Sequence, residues 1–175
     1  ELSIYDGIPH LITPIVTDPK KAADILQWVV KEMEARYDDL AAYGFRHIDD
    51  FNKAVAAGTV VPPPGTQRTL QPYPYLLIIV DEFARFRAEF SHELVQRFIN
   101  FAIAGRSYGA RMILTTQTPA GVIPEQIRSN VGAYICFQVD EDHSKDMLGN
   151  YLASRLNTAG RGYLRQGSSV LQMFQ

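Results

Sequence analysis

Leu76 to Val80 form an unbroken apolar run that stops abruptly at Asp81 and Glu82. So short a run, apolar at every position, is the pattern of a strand buried on both faces of a parallel sheet. The two carboxylates then stand at the carboxyl edge of that sheet, where open α/β sheets hold their ligands. Neighbouring strand residues point in opposite directions, so the two acids can take different tasks. Asp81 is expected to hold Mg²⁺ on a nucleotide, directly or through water, and Glu82 to polarise an attacking water. The plainer alternative is a buried strand leading into a helix whose first turn favours acids.

With 175 residues, 46% of them hydrophobic, the chain can bury a proper core and fits a single domain spanning 1–175. Its net charge of −2 gives no global basic field to attract nucleic acid, so a DNA contact would need a local patch or an assembled ring. The single cysteine, Cys136, excludes an internal disulfide and a cysteine metal cluster, and its apolar strand-like setting predicts a buried thiol. His10, His47, His92 and His143 are scattered without metal-ligand spacing, and no nucleophile-elbow pattern supports triad chemistry. No apolar run approaches the ~20 residues that span a bilayer, and no signal peptide is visible, so a cytosolic domain is expected. The opening residues, Glu1 to Tyr5, have the character of the middle of a fold, which points to a fragment.

Strand and helix signals alternate along the chain. His10 to Thr17 suggests a short strand. Asp18 and Pro19 supply a cap and a first-turn proline for a helix from Lys20 to about Tyr43, with Ala22, Ile25, Leu26, Val29, Met33 and Leu40 at helical spacing. His47 to Ala57 predicts a second helix. Gly58 to Pro74 is a proline-rich interruption, either an exposed loop or a clamp over a neighbouring subunit. Helices are expected at Ser91–Ala104, Pro124–Asn130 and Asp140–Leu148, and further strands at Arg111–Gln117 and Ala133–Val139. A turn is expected at Pro119–Gly121. Gly162–Arg165 and Val170–Phe174 resemble a hairpin. The alternation implies a parallel sheet of α/β type.

Phosphate transfer needs a backbone cradle with a lysine, a metal-holding carboxylate and a group that positions water. No Gly-Lys dipeptide occurs in these residues, so either the chain is not a nucleotide enzyme or its cradle lies upstream of Glu1. Thr115, Thr116 and Gln117 favour the second alternative. A polar amide at the end of the strand beside the acids can meet a γ-phosphate or the attacking water, although it can also simply cap a strand. Arg106, Arg111, Arg128 and Lys145 are the basic residues nearest these strand ends, and one of them could serve a neighbouring subunit's nucleotide.

Longer stretches carry a resemblance to a family. Glu1–Leu11, Val16–Ala23, Trp28–Tyr37, Phe45–Asn52 and Pro72–Leu76 resemble DNA translocases of the FtsK/SpoIIIE family. From Asp81–Ala84 onward, Gly105–Gly109, Thr116–Ile123, Glu125–Asn130 and Gly160–Arg165 are more similar to the EccC/EssC ATPases of type VII secretion. The resemblance implies a RecA-like P-loop core, with a mainly parallel sheet flanked by helices and the Walker A segment missing. In that core Asp81 and Glu82 form the Walker B pair, Asp81 meeting Mg²⁺ through water, with Thr116 and Gln117 at the nucleotide and Gln117 as the sensor. Arg106, Arg128 and Lys145 are its candidates for a basic group acting in trans. It further implies a homo-oligomeric ring, commonly a hexamer, that uses ATP and Mg²⁺ to move double-stranded DNA. Secreted proteins are the alternative substrate. Such a ring would sit on the cytoplasmic side of the cell membrane, tethered by regions outside this chain, and the chain alone would be inactive. Two positions depart from the family pattern: Thr118 stands where arginine is usual, and Lys145 where translocases tend to carry arginine. A lysine there keeps the charge but loses the planar fork.

Overall fold

The computed structural model describes residues 2–65, 67–119, 121–167 and 170–175. In chain order the elements are α1 (Pro19–Ala42), α2 (Ile48–Ala56), β1 (Leu76–Val80), α3 (Phe83–Glu89), α4 (His92–Ala104) and β2 (Ala110–Leu114). There follow α5 (Glu125–Arg128), β3 (Ala133–Cys136), α6 (Glu141–Leu148), β4 (Gly162–Gln166) and β5 (Val170–Phe174). The chain divides into two compact units, Glu1–Ile79 with Arg87–Ile113 and Val80–Phe86 with Leu114–Gln175.

The first unit is organised by α1. Asp18 caps it by accepting the Lys20 N–H at 2.9 Å, and Pro19 occupies the first turn, where no amide donor is needed. Its buried stripe of Leu26, Val29, Met33 and Leu40 follows the spacing expected from sequence. Val29 and Met33 pack with Phe101 of α4 on Leu76 and Ala110, joined by Ile78 and Met112. Truncating a side chain such as Met33 to alanine would cost about 2–5 kcal/mol. β1 and β2 run parallel: Leu76 N–H donates to Gly109 O at 2.9 Å at one end, and Thr115 N–H to Val80 O at 3.0 Å at the other.

Arg36 of α1 is only 2% exposed. Its Nε donates to Glu32 at 2.9 Å, and its Nη1 donates to Pro74 O at 2.9 Å and Tyr108 O at 3.1 Å. One guanidinium therefore satisfies carbonyls just ahead of both parallel strands, which makes the buried charge tolerable. Gly109, at φ 79°, makes the turn into β2, where a Cβ would sit 3.2 Å from Arg36 Nη1.

α2 packs through Ile48 and Phe51 against Leu40, with Val60, Leu70 and Tyr73 beside them. The proline-rich segment is thus pinned at its ends. Asn52 and Tyr73 exchange two hydrogen bonds of 2.7 and 2.8 Å, and Arg68 forks onto Asp39, which also accepts from the Tyr73 hydroxyl. Between these ties Val61 is 71% exposed.

The second unit contains a three-stranded antiparallel sheet in the order β3-β4-β5. β3 pairs with β4 from Ala133 opposite Gln166 to Cys136 opposite Tyr163. Cys136, Leu148, Ala153 and Leu156 form its core, so α6 seats on the sheet. Burial pushes the Cys136 thiol pKa up, as befits an inert structural cysteine. α6 is capped at one end by Asp140, which accepts the His143 N–H at 2.8 Å, and closed at the other by Gly149 in the left-handed region.

Three features differ from the sequence expectation. β1 is open on one face, with Leu77 and Ile79 57% and 59% exposed, because α1 and α4 lie on the same side and no described element of the first unit covers the other. His10–Thr17 is irregular rather than a strand. No ladder partner lies beside it among the described residues, and Asp6 accepts the Ile15 N–H instead. β3 pairs antiparallel with β4, so the parallel element is β1–β2. The turn expected at Pro119–Gly121 includes Ala120, which lies outside the described residues. No helix among the described residues is long and apolar enough to cross a membrane.

Candidate functional site

The carboxyl ends of β1 and β2 lie side by side in the second unit and are laced together by hydrogen bonds between residues 80–83 and residues 115–117. Thr115 donates its N–H to Val80 O at 3.0 Å and accepts the Phe83 N–H on its carbonyl at 2.8 Å. Its hydroxyl donates to Asp81 Oδ1 at 2.7 Å and accepts the Glu82 N–H at 3.1 Å. A hydroxyl can do both at once, which a carboxylate or an amide N–H cannot. Bonds of this kind to a charged partner are worth about 1.5–3 kcal/mol each.

Glu82 adopts φ 59°, the one non-glycine residue with positive φ among those described. For a glutamate this backbone costs about 1–3 kcal/mol and persists only where the surroundings enforce it. Here the enforcing contacts are visible. Its N–H is held by Thr115, Oε1 accepts the Thr116 hydroxyl at 3.0 Å, and Oε2 accepts the Gln117 N–H at 3.3 Å. Thr116 Oγ1 in turn accepts the Thr118 N–H at 3.3 Å. The tight reversal lets α3 start at Phe83, whose fully buried ring stacks on Phe86 at 5.6 Å.

The acids therefore differ in setting. Among the described residues Asp81 is exposed and bonded on one oxygen only, whereas Glu82 is half-buried with both oxygens engaged. No group of three or more His, Cys, Asp or Glu side chains comes together among the described residues. A hard cation at this edge would thus meet one carboxylate and complete its shell with water and phosphate oxygens, which is how Mg²⁺ is commonly bound. The donor set fits that ion.

Of the residues expected from sequence, Asp81, Glu82, Thr116 and Gln117 are brought together. Thr116 spends its hydroxyl on Glu82, and Gln117 contributes its backbone N–H while its side chain stays exposed. Thr115, named from sequence only as part of this polar strand end and given no role of its own there, bonds to both acids. The basic residues are dispersed. Arg106 is exposed in the first unit on the 3-10 turn Gly105–Tyr108, and Lys145 is exposed on α6 with Nζ 5.9 Å from the Tyr151 ring. Arg128 is forked onto Asp146, with both bonds at 2.5 Å.

The model of the FtsK/SpoIIIE family matches residues 1–121. The chain belongs to the FtsK/SpoIIIE family. Among FtsK/SpoIIIE relatives, the DNA translocase FtsK of Streptomyces coelicolor is 52% identical over 138 residues, covering 78% of this chain and 15% of that protein. The DNA translocase FtsK of Mycobacterium tuberculosis is 41% identical over 172 residues, covering 97% of this chain and 21% of its own length. The Corynebacterium glutamicum DNA translocase FtsK is 42% identical and covers the whole chain, matching 19% of that relative. The likeness to FtsK proteins thus extends through the carboxyl-terminal half, yet the chain spans only about a fifth of these relatives or less.

Solved structures agree on the fold. The pCW3 conjugation coupling protein TcpA superposes with a TM-score of 0.72 at 22% identity, over 93% of this chain and 45% of that one. The cytoplasmic domain of the type VII secretion ATPase EccC from Thermomonospora curvata gives 0.69 at 24% identity, over 90% and 17%. The FtsK/SpoIIIE chain therefore has the α/β, RecA-like architecture of P-loop motor domains.

Proposed function

We propose that these residues form part of the motor core of an ATP-driven DNA translocase, hydrolysing ATP at the carboxyl ends of β1 and β2. The observation that carries this reading is Glu82, held at φ 59° with its carboxylate between the Thr116 hydroxyl and the Gln117 N–H. A strained acid at the mouth of parallel strands, beside a second and freer acid, is an arrangement that stability alone does not favour. Membership of the FtsK/SpoIIIE family, with relatives named DNA translocase at 41–52% identity, supports DNA as the substrate.

In this reading Asp81, oriented by the Thr115 hydroxyl, would hold the shell of a magnesium ion. The ion, when bound, neutralises charge on the phosphate oxygens. Glu82 gives up one of its two donors to accept a hydrogen bond from the attacking water and draw off its proton. Gln117 can then sense the γ-phosphate with its exposed amide while its N–H remains on Glu82, so the presence of nucleotide is felt at both ends of one residue. A phosphate cradle of the Gly-Lys type does not occur among these residues, and this reading requires another part of the protein to supply it. The working form is a homo-oligomeric ring, with nucleotide between subunits and salt-dependent contacts to DNA phosphates. Membrane attachment is through other regions.

The test is movement itself. The full-length protein should displace a third strand from a triplex on duplex DNA in the presence of ATP and magnesium, and Glu82→Gln should abolish displacement while leaving nucleotide binding intact. Displacement that survives Glu82→Gln would contradict the assignment.

A further inference from the structure

Arg128 makes more contacts within the second unit than a free arginine finger could. Its guanidinium bonds both oxygens of Asp146 on α6 through Nη1 and Nη2, each at 2.5 Å. Nη2 also donates to Pro119 O and Nε to Ile123 O, both at 3.4 Å. These carbonyls belong to the turn that follows Gln117. The carbonyl of Arg128 accepts the Tyr134 hydroxyl at 2.9 Å, and Tyr134 lies on β3 opposite Arg165 of β4, whose guanidinium is 4.3 Å from the tyrosine ring. The Asp146 carboxyl is held below its ordinary pKa by this arginine, in keeping with a formed ion pair.

We propose that Arg128 is a positioning residue that ties the turn after Gln117 to α6 and β3, so that a nucleotide-dependent shift of Gln117 is passed to the antiparallel sheet. This rests on the nucleotide reading of Glu82 and Gln117. The path is continuous in bonded contacts: Glu82 to the Gln117 N–H, along the turn to Pro119 and Ile123, through the guanidinium to Asp146, and through the Arg128 carbonyl to Tyr134. The planar fork is essential, because it grips two carbonyls and a carboxylate at once, whereas an ammonium has no fixed geometry with which to do so.

The experiment is amide hydrogen exchange on the full-length protein, with and without magnesium and a non-hydrolysable ATP analogue, following residues 117–124 and α6. Binding of a fluorescent ATP analogue is measured separately. In the wild type, nucleotide should slow exchange in both segments. In Arg128→Lys, which keeps the charge and spares the fold, the response at Gln117 and Thr118 should persist while that of α6 falls about fivefold or more. An α6 response undiminished in Arg128→Lys would overturn the proposal. No nucleotide binding by the wild type would sink the nucleotide reading and the relay together. Binding with an α6 that never responds would sink the relay alone.

Discussion

Thr115 donates its hydroxyl to Asp81 across 2.7 Å, and the same oxygen accepts the backbone N–H of Glu82. One side chain at the end of β2 therefore sets the orientation of both acids at the end of β1. Parallel pairing makes this geometry available, because it brings both carboxyl ends to the same edge.

Thr115→Val keeps the shape and strand preference of the residue but removes both bonds. Losing a hydrogen bond to a charged group at about 1.5–3 kcal/mol predicts a fall of roughly 10–100-fold in ATP turnover by the full-length protein. Thr115→Ser should retain most of the activity. A valine variant as active as the serine one would show that the hydroxyl does not orient the acids.

Position 82 is conformationally demanding. Glu82→Gln should unfold in denaturant much as the wild type does, since the amide oxygen can still accept the Gln117 N–H while the amide NH2 donates to the Thr116 hydroxyl. Glu82→Val places a β-branched residue at φ 59° and removes those bonds, and should be less stable than the glutamine variant by about 1–3 kcal/mol. Equal urea midpoints would mean that the left-handed backbone at 82 is not enforced.

The Tyr73 hydroxyl donates to Asp39 and is partly buried. Burial first, and then the bond to Asp39, push its pKa from 10.0 up to about 12. The folded state thus prefers the protonated phenol. Its contribution to stability is complete below about pH 10 and is lost as pH rises through about 12. Thermal unfolding should therefore show an alkaline loss over that window that is reduced in Tyr73→Phe. A phenylalanine variant with the same alkaline profile would place the effect elsewhere.

Much of this was legible in the sequence for identifiable reasons. α1 announced itself through Asp18, Pro19 and a six-member apolar stripe, and β1 and β2 through apolar runs ending in polar residues. Asp81, Glu82 and Gln117 stood out in the sequence because chemistry at a strand end needs those residue types. What remained hidden depended on register and pairing. The two roles of Thr115 exist only because β2 lies in one particular register beside β1. The backbone of Glu82 could not be foreseen, since no glycine or asparagine marks the turn. Nothing in Ala133–Cys136 says that its partner is Gly162–Gln166, which lies beyond an intervening helix, and Arg128 gives no sign of an aspartate eighteen positions later.

ATP hydrolysis by the full-length protein, with and without double-stranded DNA and across a range of salt, bears most heavily on the function proposed for this site. Turnover should rise strongly with DNA, lose that stimulation as salt increases, and vanish in Glu82→Gln. Turnover indifferent to DNA at low salt, but raised by a secretion-substrate peptide, would contradict a DNA motor and assign the same site to protein export.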